Sequence, residues 1–367
     1  MFTHRIFAST IVTLGLSLAV FPSSLSPSEA ANGLPSLDAG PVTISISASG
    51  DLLAHNTLYT QAKTASGYDF TPMLSPLSGL LTSDIDICHL ETPLTTSTPS
   101  NYPIFATPHQ LAAAIRKAGW EGCSVASNHS LDRGVKGVIT TLDQMKAQGL
   151  KTAGTRKTEK GSSIAWYAVK GRTVAQLAYT YGFNGLTPPA DKPWLVNKIN
   201  AKSIIAAAKR ARGEGADLIV VSLHWGNEYQ SNPSSFQTSI ARTLTKSPYI
   251  DAIIGHHAHV IQKTVRLNGK PVVYGLGNLW SGQGPWADQS RGQHGVIVTL
   301  NFAVSEGSSE FSSGSYVPTL VRRGTWVVRD ARLVKSADSV LEACRSIKDA
   351  AAYLSQVLSG PTTCPKV

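Results

Sequence analysis

Residues 218–229 read LIVVSLHWGNEY and residues 252–259 read AIIGHHAH. Each opens on a short apolar, β-rich run, Leu218 to Leu223 and Ala252 to Ile254, and each then breaks into histidine. Runs of this kind read as strands of a covered sheet, and residues just beyond the carboxyl ends of such strands converge on the binding crevice of α/β folds. The same pattern recurs outward in both directions. Val42 to Ser49 leads into Gly50-Asp51, Ile85 to Leu90 carries His89-Leu90-Glu91, and Cys123 to Ala126 leads into Ser127-Asn128-His129. A later run closes on Gly275-Leu276-Gly277-Asn278.

Helical segments are expected between these strands at Pro108 to Lys117, Val135 to Gln148, Asn197 to Arg212 and Ser234 to Thr245. Val135, Val138, Ile139, Leu142 and Met145 recur at three-to-four spacing, which is one buried helix face. Alternating strands and helices predict a layered α/β fold with largely covered sheets. Further on, Ser163 to Tyr181 reads as two strands around Lys170-Gly171. Val260 to Tyr274 reads as a hairpin around Asn268-Gly269, a favoured tight-turn pair. Val296 to Phe302 and Leu320 to Val328 are expected strands, and Ala337 to Leu358 a closing helix. No internal repeat is evident, and the serine-rich stretches at 22–28 and 305–315 read as linker and surface loop.

The residues delivered to the strand ends share one use. Neutral imidazole with carboxylate and amide oxygens suits Zn, Mn, Fe and similar divalent ions. His257 and His259 flank one residue, so on an extended loop both can turn toward one centre. A single histidine is more often a satisfied core or surface residue, and His4, His55, His109 and His294 are read that way. The set at the strand ends is read as a metal site.

In this order, Asp51, Glu91, Asn128-His129, His224 and His257-x-His259 resemble the motifs of the metallophosphatase-like superfamily. More narrowly they resemble the CapA-type family of poly-γ-glutamate capsule synthesis. The stretches that carry the resemblance are Gly50-Asp51, His89-Leu90-Glu91-Thr92-Pro93, Asn128 to Gly134, His224 to Tyr229, Gly255 to His259 and Gly275 to Asn278. They span roughly residues 43–282.

The resemblance implies an α/β/β/α sandwich and a set of roles. Asp51, Asn128, His224, His257 and His259 would be metal ligands, and Glu91 a carboxylate bridging two ions. His129 would be the acid or charge stabiliser near a leaving oxygen. Glu228 and Tyr229 would line the mouth, with Asp132 and Arg133 holding the Asn-His loop or meeting an anion. Three positions depart from the pattern. Leu53 stands where the wider superfamily carries a histidine ligand, so one ion would be weak or absent unless His55 or His89 substitutes. His89 replaces an Asn, and Ala258 a Pro.

Composition bounds the setting. His4-Arg5, the apolar run Ile6 to Phe21 and Ser28-Glu29-Ala30 follow the order of a secretory signal peptide. The run is short for a membrane span, which usually needs about 20 residues, so cleavage is expected over an uncleaved anchor. The expected organisation is a signal peptide at 1–30, a linker at 31–41, the α/β domain at 42–335 and a C-terminal helix and tail at 336–367. The formal net charge of +10 comes without a run of basic residues interleaved with aromatics, which speaks against nucleic acid and for an anionic wall or capsule polymer. Cys344 and Cys364 are expected to form a disulfide, which an exported chain permits. Cys88 and Cys123, within apolar runs, read as packed core thiols, with a second disulfide as the alternative.

The leading functional expectation is an exported or cell-surface protein of capsule or poly-γ-glutamate synthesis, with one or two divalent ions and membrane-associated synthesis partners. Alternatives are a secreted metal-dependent phosphoesterase and a non-catalytic binder of anionic polymer.

Overall fold

Ile44, Ile46 and Ala48 alternate with serines along strand β1 (Val42–Leu53), and this period of two sets one face of the strand into the main core. The computed structural model describes residues 40–283, 289–335 and 337–365. After β1 come α1 (Asn56–Gln61), the small pair β2 (Lys63–Thr64) and β3 (Gly67–Tyr68), and α2 (Thr71–Leu74). Next are β4 (Ile85–Leu90), the short β5 (Leu94–Thr95) and β6 (Thr107–Pro108), α3 (Leu111–Ala118), β7 (Gly122–Ser124), α4 (Gly134–Ala147) and β8 (Lys151–Ala153). The second stretch runs β9 (Ala165–Val169), β10 (Arg172–Thr180), α5 (Ala201–Gly213), β11 (Leu218–His224), α6 (Ser235–Thr245), β12 (Ala252–His256), β13 (Thr264–Leu267) and β14 (Lys270–Val273). The chain closes with β15 (Asn278–Ser281), β16 (His294–Ser305), β17 (Ser308–Arg322), β18 (Val327–Asp330) and α7 (Ala337–Leu354).

These strands form two large sheets. The first has the order β18-β17-β16-β1-β4-β7-β8, with β15 also on β1, and the second β13-β14-β12-β11-β10-β9. β1, β4, β7 and β8 run parallel, as do β10, β11, β12 and β14. The second sheet is covered on both faces. Ala178, Val220 and Ile254 join the core that contains β1, while their neighbours Leu177, Val221 and Ile253 pack with Ile204, Ala208, Ala241 and Leu244 of α5 and α6. Fully burying an Ile or Val side chain is worth about 1.5–3 kcal/mol, so double coverage calls for the largely apolar runs of these strands, and the buried Gln176 and Ser222 that interrupt them hydrogen-bond to each other.

The hairpin turns follow their chemistry. Lys170-Gly171 and Asn268-Gly269 all have positive φ, as a two-residue turn matched to the strand twist demands. Ser234 caps α6 in a reciprocal arrangement with Gln237.

Three expectations are corrected. The 305–315 stretch is not a surface loop: apart from a tight turn it is strand, because β17 pairs with β16 from Ser308 onward. Phe311 is buried against Phe302 at 5.8 Å, while the intervening serines and Glu310 take the more open face. Leu320 to Val328 is not one strand; it holds the end of β17, a turn with Trp326 at φ 56°, and the start of β18. Cys88 and Cys123 are not free thiols but a disulfide. They lie directly opposite each other on adjacent strands β4 and β7, with Cα atoms 4.3 Å apart. Cys344 and Cys364 are also bonded, with Cα atoms 4.8 Å apart, and α7 packs Ala343 and Ile347 against Leu320 of β17. The expected signal peptide and the 22–28 linker lie outside the described residues. Among the described residues no helix is long and apolar enough to cross a membrane.

Candidate metal centre

The carboxyl ends of parallel strands from both sheets meet at one buried cluster. β1 delivers Asp51 just after a register shift against β4, and Gly50 lets the Gly277 backbone approach, because a Cβ there would lie 2.3 Å from the Gly277 carbonyl oxygen. β4 delivers His89 and then Glu91, the loop after β7 delivers Asn128 and His129, and β11 ends on His224. β12 ends on His256. Gly255 before it has room for no side chain, since a Cβ would lie 1.9 Å from the Tyr274 carbonyl oxygen. His257 and His259 follow with φ of 84° and 55°. Such angles are uncommon for residues with a Cβ and cluster at functional sites.

Contacts knit the cluster across the sheets. Asp51 Oδ1 lies 3.1 Å from His256 Nδ1, and Asp51 Oδ2 accepts from the His257 backbone N–H at 3.0 Å and lies 3.3 Å from His259 Nδ1. His224 Nε2 is 2.9 Å from Asn128 Oδ1 and 3.9 Å from Glu91 Oε1, and His259 Nε2 is 3.8 Å from the same Glu91 oxygen. The His224 and His257 rings are 4.6 Å apart. His89 stacks on His256 at 4.2 Å and places its two nitrogens on Ser124 Oγ and His224 Nδ1. At the rim, His129 Nδ1 meets Asp132 Oδ2 at 2.8 Å, and Asp132 also accepts from the Phe105 backbone N–H.

Burial sets the electrostatics. It opposes the charge on Asp51, but hydrogen bonds from His256 and His259 outweigh it and hold the carboxyl well below its usual range. Burial pushes Glu91 well above the carboxylate range, with the attraction of His259 only partly offsetting it. His89 and His224 are held far below the imidazole range by burial and by neighbouring histidines, and His257 falls to about 3 for the same reasons. His259 goes the other way. Burial opposes its protonation, but Glu91 and Asp51 raise it to about 9.

Residues 45–283 match the family described as bacterial capsule synthesis protein PGA_cap. The chain belongs to this family. The capsule biosynthesis protein CapA of Bacillus anthracis is 32% identical over 47% of this chain and 42% of its own length. The PGA biosynthesis protein CapA of Bacillus subtilis is 33% identical over 43% of this chain and 42% of its own length. The matched region thus spans less than half the length of these curated relatives. Among solved structures, a 5'-nucleotidase precursor from Thermus thermophilus aligns with a TM-score of 0.50 at 14% identity, covering 86% of this chain and 60% of the other. That likeness is one of fold, and the architecture is the metallophosphatase-like layered sandwich.

The residues of this PGA_cap centre fit a divalent ion by their unmet bonding. Both side-chain oxygens of Glu91 and the Nδ1 of His257 are buried with no hydrogen-bond partner among the described residues. A buried carboxylate left unpaired costs several kcal/mol, so it either takes up a proton or holds a cation. Ligand atoms of Glu91, His257 and His259 lie within 4.8 Å of one another, and so do those of Asp51, His89 and Glu91. The first set is the stronger, because both nitrogens of His89 are already engaged. His89 is therefore better placed to hold His224 than to ligate directly.

The structure brings together Asp51, Glu91, Asn128, His224, His257 and His259, with His129 at the rim. Tyr229 stands beside His259 at 5.9 Å between ring centres, its hydroxyl accepting from Gln283 Nε2. Glu228 is exposed beside it, close enough to raise Tyr229 together with the larger effect of burial. Arg133 is not brought in: it is exposed at the start of α4, and among the described residues no hydrogen bond or ion pair joins it to the cluster. His55 does not substitute for the missing ligand at Leu53. Its Nδ1 meets the Leu53 carbonyl and its ring packs edge-on to Phe105.

Three members were not singled out from sequence. His256 binds Asp51, Asn278 Oδ1 meets His259 Nδ1 at 2.9 Å, and Tyr181 packs on His257 at 4.7 Å. Tyr181 follows β10 by one residue, so the strand-end pattern would have found it.

Proposed function

We propose that this member of the capsule-synthesis family is an exported accessory protein of capsule or poly-γ-glutamate production. Its histidine–carboxylate centre holds one or two divalent ions, Mn, Zn or Fe, and its partners are an anionic polymer and a membrane-associated synthesis system. The observation that carries the metal reading is Glu91, delivered by the first sheet, fully buried and with two unpartnered oxygens, facing His224 and His259 of the second sheet. Glu91, His257 and His259 would hold the first ion, with Asp51, Asn128 and His224 completing the centre. Bound there, a divalent ion supplies Lewis-acid polarisation to a phosphoryl or carbonyl oxygen. His256 and Asn278 orient Asp51 and His259, as partners of metal ligands commonly do.

A second reading, cleavage of a phosphoester, is favoured by one contact. Asp132 holds His129 through Nδ1, which keeps the other ring nitrogen available to move a proton to a leaving oxygen. Elemental analysis of the purified protein, paired with a panel of phosphomonoesters and phosphodiesters, separates the readings. Bound metal with turnover supports the phosphoesterase, bound metal without turnover supports the accessory role, and no metal under any loading condition overturns the centre.

A further inference from the structure

Away from the metal centre, the segment between the two sheets' outer strands builds a hollow of 410 Å³. β8 pairs only with β7, and β9 only with β10, so each is the outermost strand of its sheet. Lys146, Lys151, Arg156 and Lys157 line the hollow, and its apolar wall is built from residues such as Leu142 and Trp166. Lys157 pairs with Asp143, but among the described residues Lys146, Lys151 and Arg156 have no ion-pair partner. Arg156 is half-buried over the Trp194 ring, and its Nε is enclosed without a hydrogen-bond partner.

We infer that this groove is a second binding site, for an amide-linked polycarboxylate chain. Three unpaired cations around a hollow lined by an indole and aliphatic side chains match a ligand that alternates carboxylates with methylene spacers. Arginine and lysine stems cover such spacers while their heads meet the charge. The edge strands choose between polyanions. Strands paired on one side leave backbone N–H and C=O groups that an amide-linked chain can satisfy in both directions. A polyphosphodiester has no backbone donor to give. The groove is separate from the metal centre, and the choice of a glutamate polymer as its ligand rests on the capsule-production reading.

The experiment is equilibrium binding of the full chain to a short poly-γ-glutamate, followed by Trp fluorescence. Polyphosphate of matched charge and neutral polyglutamine serve as comparison probes. Poly-γ-glutamate should bind more tightly than either. Lys146→Ser with Lys151→Ser should weaken it about tenfold at low salt and reduce the steepness of the salt dependence by about 1–2 in log–log slope. Asp51→Asn should leave that binding unchanged. Lys146→Glu alone, at an exposed helix position, gives a milder test if the double variant folds poorly. Binding unaffected by the lysine changes overturns the site. Loss on Asp51→Asn instead locates the polymer at the metal centre, and tighter binding of polyphosphate overturns the ligand class.

Discussion

The Nε2 of His89 lies 2.9 Å from the Nδ1 of His224, joining the end of β4 in one sheet to the end of β11 in the other. One proton serves that contact, so the two rings cannot both be charged. Burial, which holds both rings far below the imidazole range, keeps both neutral. A neutral His224 with Nδ1 engaged presents Nε2 toward Asn128 and Glu91.

His89→Ala should therefore reduce metal affinity through His224 without removing a ligand. Loss of such a supporting partner typically costs about 10–100-fold in affinity. Competition with a chelator of known affinity measures it. An unchanged affinity would place His89 outside the centre's support.

Glu91→Gln tests the carboxylate itself. An ion present at about 100 times its dissociation constant stabilises the folded state by about 2.7 kcal/mol. In the native chain that gain should appear as a rise in Tm on adding metal, reversed by chelator. In Glu91→Gln the rise should be largely lost while the metal-free protein still folds, because an amide carries no charge to bury. A full metal-dependent rise in the variant would show that the ion sits elsewhere.

Much of this centre was legible because its ligands follow apolar strands, and strand ends in a covered sheet have one direction to point. What was not legible depended on local backbone geometry. His257 and His259 are not on an extended loop: left-handed angles at both turn the chain so that His256, the last residue of β12, also reaches Asp51. Three histidines within four residues give no sequence signal for which of them turns. The first part of β17 was missed because serines that line the open face of a long strand have the composition of a loop. Phe311 and Tyr316, an odd five residues apart, share its buried face only because a bulge lies between them, so only the pairing with β16 opposite marks it as strand. The Cys88–Cys123 bond was obscured for a related reason. Each cysteine sits in an apolar run suited to a packed thiol, and only the register of β4 against β7 sets them side by side.

His294, read from sequence as an ordinary structural histidine, fastens the C-terminal helix. Its ring nitrogens lie 3.2 Å from Asp349 and 3.4 Å from Glu342 of α7. Burial opposes its protonation, but the two carboxylates outweigh burial and raise it above the ordinary value. A raised imidazole contributes stability in full below its unfolded pKa of about 6.5, and that contribution is lost as pH rises through the folded value. Thermal melts should thus show stability falling as pH rises above about 6.5. His259, raised to about 9, adds a slope of the same sign, so the informative quantity is the difference between the native chain and His294→Gln. The variant should be less stable below about pH 6.5 and show a flatter slope above it. Parallel curves would mean that the His294 contacts do not titrate with folding.

The contact between His129 and Asp132 yields the sharpest test of catalysis. His129 is next to Asn128 in sequence, but its Nδ1 is committed to Asp132 at 2.8 Å, and its ring packs edge-on to Phe105 at 4.7 Å. Asp132 is fixed in turn by the Phe105 backbone N–H at 2.7 Å. This arrangement orients the ring from behind, as a proton donor or charge stabiliser requires, and contributes no ligand to the buried donor sets around Glu91. His129→Ala should leave metal content nearly intact while lowering any phosphoester turnover about 10²–10⁴-fold, the usual range for a general acid–base group. Asp132→Asn should fall between the native chain and His129→Ala, because the ring remains but loses the carboxylate that orients it. His257→Ala should lose metal and turnover together, separating a ligand from a proton carrier. If His129→Ala changes neither turnover nor capsule formation while His257→Ala abolishes both, the centre works without His129 and the phosphoesterase reading loses its support.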